Sequence, residues 1–331
     1  MALDVGVDIG GTNIKLGVVD AGGRVVARSR LKTEAGKGPR QALERVARGI
    51  ARFREKHAVG SVGVGIAGLV DHEYGIVRVP PNLPGWHGTA VKAELAELTG
   101  LGVRVTNDVN AVCLGEWLFG AGRGCDDLFC LTLGTGVGGA AVVAGRLLLG
   151  ANGAAGELGH TVIFGNGLPC RCGGRGCLER YVGAEYLVKR ARARVKAQVK
   201  RVSSHRDQMP LFGGLQPERP SVLASLPARR LDPEAIGRSA RAGDKLALEL
   251  VDELGEYVGL GLVNVVALFD PGRIVIGGGL AGLGEPLFKA VRRTVNRRGQ
   301  LFDGRRLEIV GAGLGGDAGV VGASRLGRLP G

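Results

Sequence analysis

The densest set of chemically capable side chains in the sequence is Glu157-Leu-Gly-His160 followed by Cys170-Arg-Cys172-Gly-Gly-Arg-Gly-Cys177-Leu-Glu179. Three thiolates and one imidazole can close a tetrahedral shell of the kind that holds structural zinc, and the glycines between them let a loop wrap the ion. Free thiols beside a lone histidine are the alternative, and it leaves the tight clustering unexplained. The other cysteines, Cys113, Cys125 and Cys130, are scattered. In a reducing compartment such clustering argues for metal rather than disulfides.

A second constellation is built on glycine turns. Asp8-Ile-Gly10-Gly11-Thr12 puts a carboxylate at the end of an apolar strand, directly before two residues that let backbone amides approach a phosphate oxygen. Thr12 adds a hydroxyl, and Asp8 can hold a hydrated Mg²⁺. An ordinary hairpin turn with a capping Asp has the same sequence. Leu133-Gly134-Thr135-Gly136 and Gly277-Gly278-Gly279 are further turns of this type. Asn107-Asp108 lies where a strand enters a helix, a place where Asp also serves as an N-cap. Gly63-x-Gly65-x-x-Gly68 and Gly134-x-Gly136-x-x-Gly139 match the dinucleotide fingerprint. That motif needs its third glycine to open a helix. Both runs continue as hairpins, so a dehydrogenase is disfavoured, and no Gly-x-x-x-x-Gly-Lys-Ser/Thr loop occurs.

The elements that must carry these residues follow from periodicity. Val5–Ile9, Lys15–Val19 and Arg24–Arg30 read as consecutive antiparallel hairpins, and Pro39 opens a helix through Lys56 with Leu43, Val46, Ala47, Ile50 and Phe53 on one face. Ser61–Ile66 is a strand, Leu69–Asp71 turns through Tyr74-Gly75 into Ile76-Val77, Glu94–Leu98 continues a short helix, and Val103–Val105 is a strand ending at Asn107-Asp108. After a helix through Phe119 the opening layout recurs: strand Leu128–Leu133, glycine turn, then a Val137–Leu149 hairpin turning near Gly145. This is an internal repeat of topology. It predicts two related α/β domains facing one cleft, a small one of 1–107 plus about 314–331 and a large one of 108–313 carrying a zinc-binding loop at 160–177. Ser203–Arg230 reads as an excursion from the core. Beyond it come a mostly helical Pro233–Phe269, a buried strand Ile274–Ile276, a helix Glu285–Arg298, a strand Leu307–Val310 and a helix from Asp317.

The 331 residues, 45% hydrophobic and 23% charged, suffice for two globular domains. No apolar run is long enough to span a bilayer, and the first residues lack a secretory signal, so no membrane association and a cytoplasmic location are expected. The count of 60 Gly has no collagen period and calls for many tight turns and close backbone approaches. The net charge of +13 gathers in Lys189–Arg206, Arg229–Arg241 and Arg292–Arg306. These runs lack interleaved aromatics or a reading module, so no nucleic-acid partner is expected; solvated helix faces or a polyanion track remain the two readings.

The three glycine turns, in this order, resemble the nucleotide cleft of the actin-like (ribonuclease H-like) ATPase and sugar kinase superfamily. That resemblance implies terminal phosphates on Asp8, Gly10, Gly11 and Thr12, phosphates on Gly134, Thr135 and Gly136 from the opposite domain, and adenosine near Gly277, Gly278 and Gly279. The Glu-x-Gly-His and Cys-x-Cys-Gly-x-x-Gly-Cys-x-Glu pattern resembles the ROK family of sugar kinases, over Val5 to about Gly322. It implies a zinc site of His160, Cys170, Cys172 and Cys177, with Glu157, His160 and Glu179 on sugar hydroxyls. Similar kinases use Asn107 for the sugar and Asp108 as the catalytic proton acceptor. Asn82, in Pro81-Asn82-Leu-Pro84-Gly-Trp86, and the backbone near Gly68 are further sugar contacts by the same likeness. Gly183 departs from the Ser usual in the family. The resemblance thus implies a hexokinase using ATP with Mg²⁺, glucose as acceptor, polyphosphate as a secondary donor and a homodimer or homotetramer. Fructose, mannose, N-acetylglucosamine and N-acetylmannosamine stay open as acceptors. A ROK transcriptional repressor is the rival reading; it would carry a helix-turn-helix domain ahead of the first turn, where only seven residues precede Asp8.

Overall fold

The structure, a computed structural model, describes residues 3–206, 221–299 and 307–328. Parts of the Ser203–Arg230 excursion and of the last basic run, 207–220 and 300–306, lie outside the described residues. Two five-stranded sheets of one topology form the frame. The first contains β1 (Leu3–Ile9), β2 (Asn13–Val19), β3 (Val25–Lys32), β4 (Val59–Ile66) and β7 (Gly102–Asn107), in the order β3-β2-β1-β4-β7. Between β4 and β7 a hairpin of β5 (Leu69–Asp71) and β6 (Ile76–Val79) stands apart as its own small sheet. The second sheet runs β10-β9-β8-β11-β12, with β8 (Leu128–Leu133), β9 (Val137–Val143), β10 (Arg146–Leu147), β11 (Arg273–Gly277) and β12 (Glu308–Gly311). In each, an antiparallel three-strand meander is extended by two parallel strands. This is the expected pair of actin-like units.

Burial explains the strand order. Val5, Val7 and Ile9 of β1 and Val62, Val64 and Ile66 of β4 are buried on one face, and Gly6, Gly63 and Gly65 are buried on the other, as a central strand covered on both faces requires, whereas the edge strand β3 alternates between buried and more exposed residues. Helices α1 (Pro39–Arg54) and α2 (Val91–Thr99) cover one face of the first sheet, with Leu43, Val46, Ile50, Val91 and Leu95 in its core. The second sheet is covered by α4 (Glu179–Val182), α5 (Ala184–Arg206), α6 (Pro233–Arg241), α7 (Lys245–Phe269) and α8 (Glu285–Arg298). The helical run expected from Pro233 to Phe269 is two helices because Gly243 takes a φ of +84 between them. No helix among the described residues is long and apolar enough to cross a membrane.

Helices α3 (Asp108–Phe119) and α9 (Ala318–Arg325) join the two sheets, and glycines set how closely they pack. A Cβ on Gly63 would lie 1.7 Å from the Ala323 carbonyl oxygen, and one on Gly322 would lie 1.7 Å from that of Ala111. Backbone therefore rests on backbone, with no side chain free to yield. Gly63→Ala should lower the unfolding free energy by about 2–3 kcal/mol or more, the cost of overpacking a rigid contact. Urea unfolding measures it; a change below about 0.5 kcal/mol would show that α9 can lift without loss.

Candidate active site

The first sheet delivers its polar residues at the carboxyl ends of β1, β4 and β7. Gly10 spends its amide on the Asn13 carbonyl (3.0 Å), which closes the turn and removes that amide as a phosphate donor. The amides of Gly11 and Thr12 make no hydrogen bond among the described residues and remain the turn's donors. Antiparallel pairing sets Lys15 opposite Asp8, with Nζ 3.5 Å from Asp8 Oδ2 and 3.1 Å from the Gly316 carbonyl. Asn82 lies over the same turn, its carbonyl oxygen 2.8 Å from where a Cβ on Gly11 would be.

At the end of β7, Asn107 rather than Asp108 caps α3, its Oδ1 accepting from the amides of Val109 (2.8 Å) and Asn110 (3.2 Å). Its Nδ2 donates to the Gly68 carbonyl (3.0 Å), tying two of the expected sugar-binding positions together and leaving one amide hydrogen for a ligand. Asp108 occupies the first helical position and is released from capping. Its Oδ1 accepts from the Val109 amide (3.0 Å).

The second sheet supplies the opposite wall. His160 ends a short 3₁₀ turn, Leu158–His160, and its Nδ1 lies 3.8 Å from Cys170 Sγ, while Cys172 and Cys177 Sγ atoms are 3.7 Å apart. All four ligand atoms lie within 4.8 Å of one another. Sulfur atoms about 2.3 Å from a central tetrahedral ion would be about 3.8 Å apart, so these residues fit such an ion without rearrangement. Their protons are unevenly held: the Gly174 amide lowers the Cys172 thiol, and burial raises Cys177. The loop is also anchored by protein alone, since Tyr181 packs on Phe164 and Tyr257 and its hydroxyl accepts from the Leu168 amide (2.8 Å). With Nδ1 turned to the cluster, His160 keeps Nε2 for another partner.

Beside His160, the Glu157 carboxyl is raised by burial and by Glu179, against a lowering from His160. Glu179 Oε2 accepts from the Val137 amide (3.0 Å), immediately after the second glycine turn. The third turn lies on the second: Gly278, at φ +85, brings its Cα so near Leu133 that a Cβ would be 2.3 Å from the Leu133 carbonyl oxygen. The second and third turns thus lie against each other.

The two walls meet electrostatically at Asp108. Burial is the largest influence on its carboxyl and the Asp8 charge the next, with Glu157 adding to both; together they outweigh the Val109 amide and push the pKa up to about 6. Asp8 is itself raised by burial, with Lys15 pulling the other way. Near neutral pH such a group is mostly ionised yet binds a proton more strongly than an ordinary carboxylate, which suits a general base. A divalent cation would relieve the crowding of Asp8 and Asp108, and carboxylate oxygens are the donors it prefers.

The structure therefore brings Asp8, Asn107, Asp108, Glu157, His160 and Glu179 toward one cleft, with the glycine turns around them. It also shows two residues that motif reading passed over. Lys15 was legible from hairpin register, since an antiparallel turn after Ile9 places it across from Asp8. Glu116, an acid within the apolar run Cys113–Phe119, is fully buried and accepts from the amides of Ala121 (2.8 Å), Gly313 (2.9 Å) and Leu314 (2.8 Å), holding both chain crossings between the sheets. Cys113 and Cys130, far apart in sequence, are neighbours in the core, and their contact with burial raises the Cys130 thiol. Much of the positive charge is paired: Arg190 and Arg194 of α5 meet Glu253 and Glu249 of α7, and Arg293 and Arg297 of α8 meet Asp252 and Glu256.

Residues 4–328 match the ROK family. The glucokinase of Thermotoga maritima is 36% identical, over 97% of this chain and 96% of its own length. The glucokinase of Streptomyces coelicolor is 34% identical, over 100% of this chain and 99% of its own. A solved structure of a ROK family glucokinase from Streptomyces griseus in complex with glucose and AMPPNP is similar at a TM-score of 0.81 and 35% identity, with 99% of each chain covered.

Proposed function

The chain belongs to the ROK family, and we propose from its site that it is an ATP-dependent hexokinase converting glucose to glucose 6-phosphate. The observation that carries this reading is Asp108, a carboxylate of raised proton affinity between the Asp8 turn and Glu157. The likeness to a glucokinase bound to glucose and AMPPNP supports the choice of sugar and donor.

In the proposed mechanism the hexose is held by Asn82, Asn107, Glu157, His160 and Glu179 and by the backbone at Gly68. These contacts aim one hydroxyl at Asp108, which accepts its proton as the oxygen attacks the terminal phosphorus of ATP, the bond from that phosphorus to the β–γ bridging oxygen breaks and ADP leaves. The free amides of Gly11 and Thr12 and the turn Gly134–Gly136 cradle the phosphates from opposite sides, so developing charge meets fixed dipoles. Adenosine lies near Gly277–Gly279. Asp8 would hold Mg²⁺, which supplies charge neutralisation to the phosphates. His160, Cys170, Cys172 and Cys177 would hold zinc, a closed structural ion that fixes the imidazole for the sugar. Residues 1–107 with about 314–331 and residues 108–313 close as two bodies over the substrates, excluding water that would otherwise hydrolyse ATP. The ion pairs that α5 makes with α7 favour the solvated-face reading of its charge, with ATP the principal donor and polyphosphate secondary.

In a coupled assay with MgATP and glucose, Asp108→Asn should lower turnover by about 10² to 10⁴, the usual loss of a general base, with glucose affinity within about tenfold. Near-normal turnover would leave Asp108 a structural residue of the helix start. Metal analysis of the purified protein should give one zinc per chain, and Cys172→Ser should lose it. Full metal content in that variant would remove the zinc assignment.

A further inference from the structure

The second glycine turn is bonded at both ends by one short segment, Glu179–Ala184, which also packs closely on the residues between. Glu179 Oε2 accepts from the Val137 amide at 3.0 Å, and a Cβ on Gly136 would come within 2.6 Å of the same oxygen. The Gly134 carbonyl accepts from the Ala184 amide at 2.9 Å. A Cβ on Gly183 would stand 3.1 Å from the Thr135 carbonyl oxygen, so the glycine found where the family pattern has Ser permits this approach. Within itself the turn has one bond, from the Gly134 amide to the Gly136 carbonyl at 3.0 Å. The amides of Thr135 and Gly136 make none among the described residues. Its shape therefore depends on residues 179–184.

From this geometry we infer that Glu179–Ala184 positions the second phosphate turn, so that Glu179 serves the nucleotide as well as the sugar. One carboxylate oxygen fixes Val137 and the other remains for a hexose hydroxyl. The segment begins two residues after Cys177, so the cysteine loop, the sugar contact and the phosphate turn form one continuous support. The inference rests on the functional reading above, in which Gly134–Gly136 contacts phosphates.

Two substitutions separate the roles. Ala184→Pro removes one donor and sets the ring against the Gly134 carbonyl. Its position, the first residue of α5, tolerates proline, and the preceding Gly183 is extended (φ −67, ψ 149), as a residue before proline prefers. Glu179→Ala removes the carboxylate, and Glu179→Gln keeps an oxygen able to accept from Val137. Binding of MgAMPPNP without sugar, and of glucose without nucleotide, is measured by calorimetry for each full-length variant. Ala184→Pro should weaken MgAMPPNP about tenfold, the scale of one strong hydrogen bond, and leave glucose within about twofold. Glu179→Ala should weaken both ligands, and Glu179→Gln should recover most of the nucleotide affinity. Wild-type MgAMPPNP affinity in folded Ala184→Pro, or in folded Glu179→Ala with glucose alone weakened, would overturn the inference. The substitutions strike different bonds at one turn, so either folded variant decides it. A wild-type chain that binds glucose but no nucleotide would defeat the functional reading and the inference with it.

Discussion

The structure turns on the crowding of carboxylates at the floor of the cleft. Asp8 and Asp108, both half-buried, and Glu157, nearer the solvent, come from both walls, and burial is the largest cause raising each of the three. Such a cluster is unfavourable as three bare charges and improves when it takes a proton, a divalent cation or a hydroxyl donor. Those are the partners a phosphoryl transfer to a sugar brings. Lys15 offsets part of the repulsion at Asp8 before any ligand arrives.

The fold holds this arrangement through backbone rather than through side-chain packing. Two sheets of the same order each end a central strand in a glycine turn, and α3 and α9 lock the sheets together by glycine-mediated contact. Asn107 takes over the capping of α3, so that the helix start does not depend on the Asp108 carboxylate as its cap. Buried Glu116 secures both crossings of the chain, accepting from the amides of Ala121, Gly313 and Leu314. The cysteine loop adds a second fixed point, holding His160 on one side and, two residues beyond Cys177, the second glycine turn through Glu179.

Much of this was legible in the sequence because its signals are local. Alternating apolar residues gave the strands around both glycine turns, and the repeat of strand, turn and hairpin foretold the paired sheets. The spacing from His160 to Cys177 foretold the cluster. What escaped depends on pairing between distant segments. The bond from Val137 to Glu179 spans 42 positions, and that from Leu314 to Glu116 spans 198. No periodicity records such contacts. Whether Asn107 or Asp108 would cap the helix was equally hidden, since both residue types cap well and only the strand's exit direction decides between them. Lys15 is the exception, a residue that register alone would have placed.

The titration of Asp108 in the free protein tests the account most directly. With carboxyl carbon-13 labels on aspartate, and Asp108→Asn to assign the resonance, the midpoint should lie at about 6. Removing the neighbouring charge by Asp8→Asn should lower it without restoring the ordinary value of about 3.9, because burial is the larger cause. A midpoint near 4 that Asp8→Asn leaves unmoved would mean that the two carboxylates do not share a poorly solvated cleft, and that Asp108 is not the poised proton acceptor on which the mechanism depends.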